Sequence, residues 1–255
     1  MAEQSIDEFV TATSQQEGST GTFVKETSEL LEVNLDGRVW ARVGAMVAYT
    51  GNVNFERESA LEGGVTKFLK KQFTGEGAPL MKMEGTGSVY VADRKKKISA
   101  FHLSSEHVSV NGNDLLAFED GIDWDIEMMK SGGSMIAGGL FNVKLSGRGS
   151  VVITSHGKPL TLRVDPGTPI YTDPQATVAW SGSLSPQMET DVSMRSLVGR
   201  GSGESVQYRF SGDGWVMVQP FEEGAFQQNQ QGQKSSSGGN SGGGGLGNIL
   251  RQLLG

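Results

Sequence analysis

The chain has 255 residues, with 22 lysines and arginines against 29 aspartates and glutamates, a net charge of −7, 37 glycines and no cysteine. Disulfides, thiolate nucleophiles and cysteine-based metal sites are excluded, and the acidic balance argues against a whole-chain grip on nucleic acid, which needs a basic face. The length fits one large β domain or two small ones, and glycine at about twice its usual share of ~7% marks linkers or positive-φ turns.

Residues 1–21 read as an N-terminal extension. The segment MAEQSIDEFV lacks the basic and apolar regions of a secretory signal, and no run approaches the ~18 apolar residues that span a bilayer. With no cysteine, this predicts a cytoplasmic protein that can sit peripherally at a membrane. Residues 22–58 read as half of a β unit. In it Asp36-Gly37 separates strands 31–35 and 39–43 as a hairpin turn, and MVAYTGNVNFE follows. Then comes SALEGGVTKFLKKQFTGEGAP, with Lys67, Phe68, Leu69, Lys70, Lys71 and Phe73.

The next unit reads as strands 80–83, 88–92, 98–103, 115–118 and 122–128, with turns at DRKKK and VNGND. On the last of these, Asp123, Asp125 and Glu127 alternate with Trp124, Ile126 and Met128. That pattern describes a half-buried strand with a solvated acidic side more simply than a cation site. His102, His107 and His156 have no metal-ligand spacing. Ser155-His156-Gly157 falls where a hairpin turn is expected, and neighbouring strand residues point apart, so it is no nucleophile pair. No catalytic, cofactor-binding or metal-binding residue is assigned, and no cofactor is expected.

From Gln227 the chain reads QNQQGQKSSSGGNSGGGG, which has nothing apolar to bury. Residues 225–245 are therefore expected to be a disordered, flexible linker. In residues 246–255, Leu246, Ile249, Leu250, Leu253 and Leu254 share one face of a two-turn helix. A helix so short is marginal alone in water and needs a surface to dock on.

Two patterns repeat. MEGTGSVYV, LSGRGSVVI and FSGDGWVMV begin their glycine pairs at Gly85, Gly147 and Gly212, a period of 62 to 65 residues. Their Val89, Val151 and Val216 correspond, and Lys82, Lys144 and Arg209 stand at one shared earlier position. Alternation puts these cations on an outward face, solvated or set to pair with acids of a neighbouring subunit. The G-x-G pairs lead into strands with no third glycine, so they mark turns or bulges rather than a dinucleotide site. MVAYTGNVNFE, LLAFEDGIDWD and TVAWSGSLSPQ align at Ala48, Ala117 and Ala179. Because the alanine pattern comes first and the glycine pattern last, residues 22–58 are expected to complete themselves against 204–222. The fold class is then all-β: a single barrel or β-helix-like domain, 22–224, of three pseudo-symmetric units closed by pairing of its terminal half-units.

The runs GEGAPLMKMEGTGSVYVAD, LLAFEDGIDWD, GGLFNVKLSGRGSVVITSHGKPLTL and TDPQATVAWSGSLSP resemble the altered-inheritance-of-mitochondria protein twenty-four family over about residues 22 to 222. The resemblance implies a three-unit β barrel similar to the trp RNA-binding attenuation protein, often assembled as a trimer, with no known reaction or cofactor. Its mitochondrial relatives are linked to inner-membrane organisation. The expected function is that of a non-enzymatic scaffold or adaptor, a homo-oligomer with a trimer favoured, that engages a membrane surface or protein partner. The connections around 59–79, 130–141 and 193–205 would gather at one barrel end, basic and partly apolar, suited to acidic lipid or an acidic partner. In the plainer reading Phe68, Leu69 and Phe73 plug that end and the lysines face water. RNA binding through the three cations and small-molecule binding are the alternatives.

Overall fold

The computed structural model describes residues 3–15, 20–57, 80–128, 130–131, 134–135, 141–189 and 207–221. Among these, the one helix is α1 (Ile6–Ala12), started by a capping box in which Ser5 and Glu8 satisfy each other's backbone N–H groups. Strand β1 (Phe23–Lys25) then pairs with the first long strand.

Three trios of strands follow, each with a lead strand, an alanine strand and a glycine strand. In unit one these are β2 (Leu31–Arg42), β3 (Met46–Arg57) and β4 (Leu80–Val91), each unbroken. In unit two each is split. The lead strand becomes β5 (Lys97–Leu103) and β6 (Val108–Asn111), and the alanine strand becomes β7 (Leu115–Glu119) and β8 (Ile122–Met128). After the short, mutually paired β9 (Lys130–Ser131) and β10 (Ser134–Met135) come the glycine strands β11 (Phe141–Gly147) and β12 (Gly149–Ser155). Unit three repeats this with β13 (Leu160–Val164), β14 (Ile170–Thr172), β15 (Thr177–Ser181), β16 (Gln187–Glu189), β17 (Gln207–Phe210) and β18 (Gly214–Val218).

The glycine strand always lies between the other two, antiparallel to both, and its register recurs. Val91, Ile153 and Val218 face Leu31, Ser99 and Leu160, while Met83, Leu145 and Phe210 face Val39, Val108 and Ile170. The alanine strand slips register at the residue before each alanine, giving three equivalent bulges at Val47, Leu116 and Val178. The turn into it also recurs, with Ala45, Asp114 and Ala176 donating their N–H to the carbonyls of Arg42, Asn111 and Asp173. The carbonyls of those same three residues accept from Ala92, Thr154 and Gln219 at 2.9, 2.7 and 2.8 Å.

Neighbouring units meet through one kind of joint, the lead strand of one against the alanine strand of the next. Trp40 and Ala41 face Phe118 and Ala117 where β2 meets β7, and Ser109 and Val110 face Trp180 and Ala179 where β6 meets β15. The resulting sheets run β3-β4-β2-β7-β12-β5, β13-β18-β15-β6-β11-β8 and β14-β17-β16. Core clusters gather around Val33, Met83 and Val89, around Leu145, Phe118 and Val151, and around Trp180, Tyr208 and Phe210.

The all-β class stands and the strand trio recurs among the described residues, but three expectations are corrected. Among the described residues, 22–57 are not completed by 207–221: β3 pairs along its length with β4, and none of them pairs with 207–221. The sheets are open and antiparallel, with no closed barrel among the described residues. The lead strands repeat only weakly in sequence, so a unit of three strands passes for one of two. Asp36-Gly37 is not a hairpin turn either, because β2 runs straight through it and Gly37 faces Gly85 across the ladder.

Candidate functional site

The three recurring cations sit on the glycine strands at matched positions, each opposite a polar residue of its own alanine strand. Lys82 faces Glu56, Lys144 faces Asp125 and Arg209 faces Gln187. The Lys82 ammonium lies 3.0 Å from Glu56 Oε2 and 3.3 Å from Glu84 Oε2. That of Lys144 is 3.1 Å from Glu127 Oε1, and Arg209 reaches Glu189 at 3.6 Å while donating to Gln187 Oε1 at 3.1 Å. The bond from Lys82 holds the Glu56 carboxyl below the usual carboxylate range; Arg38 first, then Lys82, does the same to Glu84.

The outward placement therefore holds unevenly. Lys144 is exposed and Arg209 half-buried, but Lys82 is only 7% exposed. Its strand has core on both sides, with Leu80 in one cluster and Met81 and Met83 in another, so Lys82 is buried along its stem while the acids it meets, Glu56 and Glu84, stay in reach of solvent. All three charges are engaged within the chain. Lys67, Phe68, Leu69, Lys70, Lys71, Phe73, Leu246, Ile249, Leu250, Leu253 and Leu254 lie outside the described residues.

Two features escaped the sequence reading. The first is a buried ion cluster between units one and two. Lys96, 2% exposed, sets its ammonium 2.9 Å from Asp114 Oδ1 and 3.6 Å from Asp93 Oδ2, and donates to the Asn113 carbonyl at 2.9 Å. Arg42 reaches Asp93 at 3.1 Å and also donates to the Asn113 carbonyl. DRKKK reads as a solvated turn, and it is a turn, with Arg94 and Lys95 at positive φ. Lys96, however, points inward from it.

The second is a cleft of about 760 Å³ at the fork where β5 and β6 diverge into different sheets. Its walls are apolar, from Phe101, Leu103, Val108, Ala179, Trp215 and Met217, and His102, Glu106 and His107 edge it. Glu106 Oε2 accepts from the N–H groups of Ser104 and Ser105 at 2.6 and 3.1 Å, which lowers its pKa. Such a space suits an apolar body with a polar end. Neither histidine makes a described bond to a nucleophile other than His102 with Ser150 Oγ at 3.4 Å. Among the described residues no three His, Asp or Glu side chains gather to hold a metal, and no helix is long and apolar enough to cross a membrane.

Large apolar side chains are exposed on α1, at Ile6, Phe9 and Val10, and along the edges of unit one and unit three. On β3, Met46, Val47 and Tyr49 are 41%, 60% and 49% exposed, whereas their equivalents Leu115, Leu116 and Phe118, and Thr177, Val178 and Trp180, are buried in the joints. Tyr171 on β14 is 50% exposed where Trp40 and Ser109 sit in joints. Tyr208, beneath this end of the molecule, is fully buried beside Trp180 and Phe210, and burial pushes its phenol up to about 12.

The fold is similar to that of a Streptococcus pyogenes protein solved by X-ray crystallography, with a TM-score of 0.65 and 24% identity over 82% of this chain and 97% of the other. No curated protein sequence matches the chain. Residues 22–221 match the family model described as Mitochondrial biogenesis AIM24, which spans all three strand trios, and the chain belongs to that family.

Proposed function

We propose that the protein is a non-enzymatic scaffold or adaptor that works as an oligomer and engages a membrane surface or a protein partner from its cytoplasmic, peripheral position. The observation that supports this reading is where polar and apolar groups are spent. The recurring cations are matched to acids inside the chain, while large apolar side chains stay exposed along β3 and β14, where the same positions of the other units are buried. An apolar side chain left in water forgoes about 1.5–3 kcal/mol of burial, so the run Met46, Val47 and Tyr49 on one edge strand favours an interaction surface. A trimer is the assembly favoured.

In this reading the apolar segment 246–255 is a weak anchor at the end of the 225–245 linker, and joining several anchors on one oligomer raises the local concentration of each for its target. Removing residues 225–255 is expected to leave the melting temperature unchanged and to weaken co-sedimentation with anionic liposomes, or capture of the native partner, by about tenfold or more. Equal recruitment of the full-length and shortened proteins would sink the anchoring role.

A further inference from the structure

We infer that the cleft at the β5–β6 fork is a binding site for a small organic cation, an aromatic or aliphatic body that carries one protonated nitrogen. The space arises because β5 and β6 follow each other in the chain but belong to different sheets, β5 pairing with β12, and β6 with β11 and β15. In unit one the lead strand β2 runs unbroken, so it makes no such fork. At about 760 Å³ the cleft has the size of a small-molecule site, and its lining is mainly apolar. Phe101, Trp215 and Met217 pack on a core cluster from one side and stay half-buried, so they offer the cleft apolar surface that the fold itself does not cover.

Charge selects the ligand. Among the described residues that line the cleft, Glu106 is the one acid, and no lysine or arginine joins it. The N–H groups of Ser104 and Ser105 hold its Oε2 and favour the ionised form, while Oε1 makes no described bond. The carboxylate is thus fixed at the rim with one oxygen to offer. Arg163 faces Trp215 across the β13–β18 ladder, but Asp165 at 2.8 Å and Asp213 at 3.2 Å engage it. A cation entering here meets net negative charge, on a chain whose own charge is −7. It also meets the rings of Trp215 and Phe101, whose negative faces attract a positive nitrogen. An anion would find only His102 and His107 as donors, beside a carboxylate that repels it.

Three probes with one ring system separate charge from apolar fit: 1-naphthylmethylamine, 1-naphthalenemethanol and 1-naphthoate. Each is titrated at neutral pH into the full-length protein, followed by calorimetry and by the indole N–H signals in NMR, with that of Trp215 assigned through Trp215→Phe. The amine is expected to bind about fivefold or more tighter than the alcohol or the carboxylate and to shift the Trp215 signal. Glu106→Gln is expected to bring the amine to the affinity of the alcohol while leaving the alcohol and the melt unchanged, a split that a merely structural role for Glu106 does not produce. Thr161→Trp, at an exposed position of the edge strand β13 on the cleft wall, is expected to weaken amine and alcohol by the same factor. Equal affinity for all three probes, tighter binding of the carboxylate, or an amine preference that survives Glu106→Gln would overturn the cation. An unmoved Trp215 signal with the amine at about 10 mM would overturn the site itself.

Discussion

Replacing Asp114 with alanine is expected to lower the free energy of unfolding by about 3–5 kcal/mol, the cost of stranding one charge of a buried pair. Asp114 is completely buried and holds the Lys96 ammonium at 2.9 Å. Without it, Lys96 keeps Asp93 at 3.6 Å, but that carboxylate also serves Arg42 at 3.1 Å and Thr154 at 3.3 Å. The cluster fastens the turn before β5 to the turn before β7, so its loss loosens the seam between units one and two. Removing both charges together, as Lys96→Met with Asp114→Leu, is expected to recover most of the stability, because an apolar pair of similar volume carries no desolvation cost. Urea unfolding of the single and double variants measures this. A loss below about 1 kcal/mol for Asp114→Ala is what a solvated pair would give and would refute the burial of the cluster.

The second large effect belongs to Gly85. Its φ is +133°, and a Cβ there would run into the backbone carbonyl of Asn52 on the neighbouring strand. Backbone strain of about 1–3 kcal/mol adds to an overpacking cost of about 1–3 kcal/mol, so Gly85→Ala is expected to cost about 3 kcal/mol or more. Gly37, directly across the ladder, supplies the control. It also has positive φ, at +107°, but an added Cβ meets nothing within 4 Å. Gly37→Ala should therefore lose only the strain, about 1–3 kcal/mol, and melt above Gly85→Ala. Equal melting temperatures would mean that β3 does not press against β4 at this point.

That contrast shows how far the glycine pattern could be read. The spacing of Gly85, Gly147 and Gly212 revealed the repeat, and all three have positive φ in the fold. Alanine and glycine strands were legible because their small residues answer to backbone geometry, which tolerates few substitutes. The lead strands answer only to burial, which Leu31, Ser99 and Leu160 meet with quite different side chains. The unit was consequently cut in the wrong place, with residues 22–58 assigned to 204–222 where β3 in fact pairs with β4.

Charge was the other blind spot. Strand alternation put Lys82 in the same environment as Lys144 and Arg209, since the three share a register position. What buries Lys82 is the long unbroken pairing of β4 with both β2 and β3, a feature of unit one alone. Lys96 is hidden for a similar reason: its partner Asp114 is 18 residues away and joins it only when two turns from different strands meet. The cleft at the β5–β6 fork is likewise a product of divergence between sheets, with lining residues drawn from four separate stretches of chain.

The oligomer proposed above would form through the apolar edges of β3 and β14, which the two joints within the chain leave exposed. Hydrogen exchange measured across a dilution series tests it most directly. Amides of residues 46–50 and 170–172 are predicted to gain protection as protein concentration rises, while those of 115–119 and 177–181, already in joints, stay protected throughout. Protection of both edges that is high and independent of concentration down to the most dilute sample would mean that they are covered within a single chain and would contradict an oligomer formed through them.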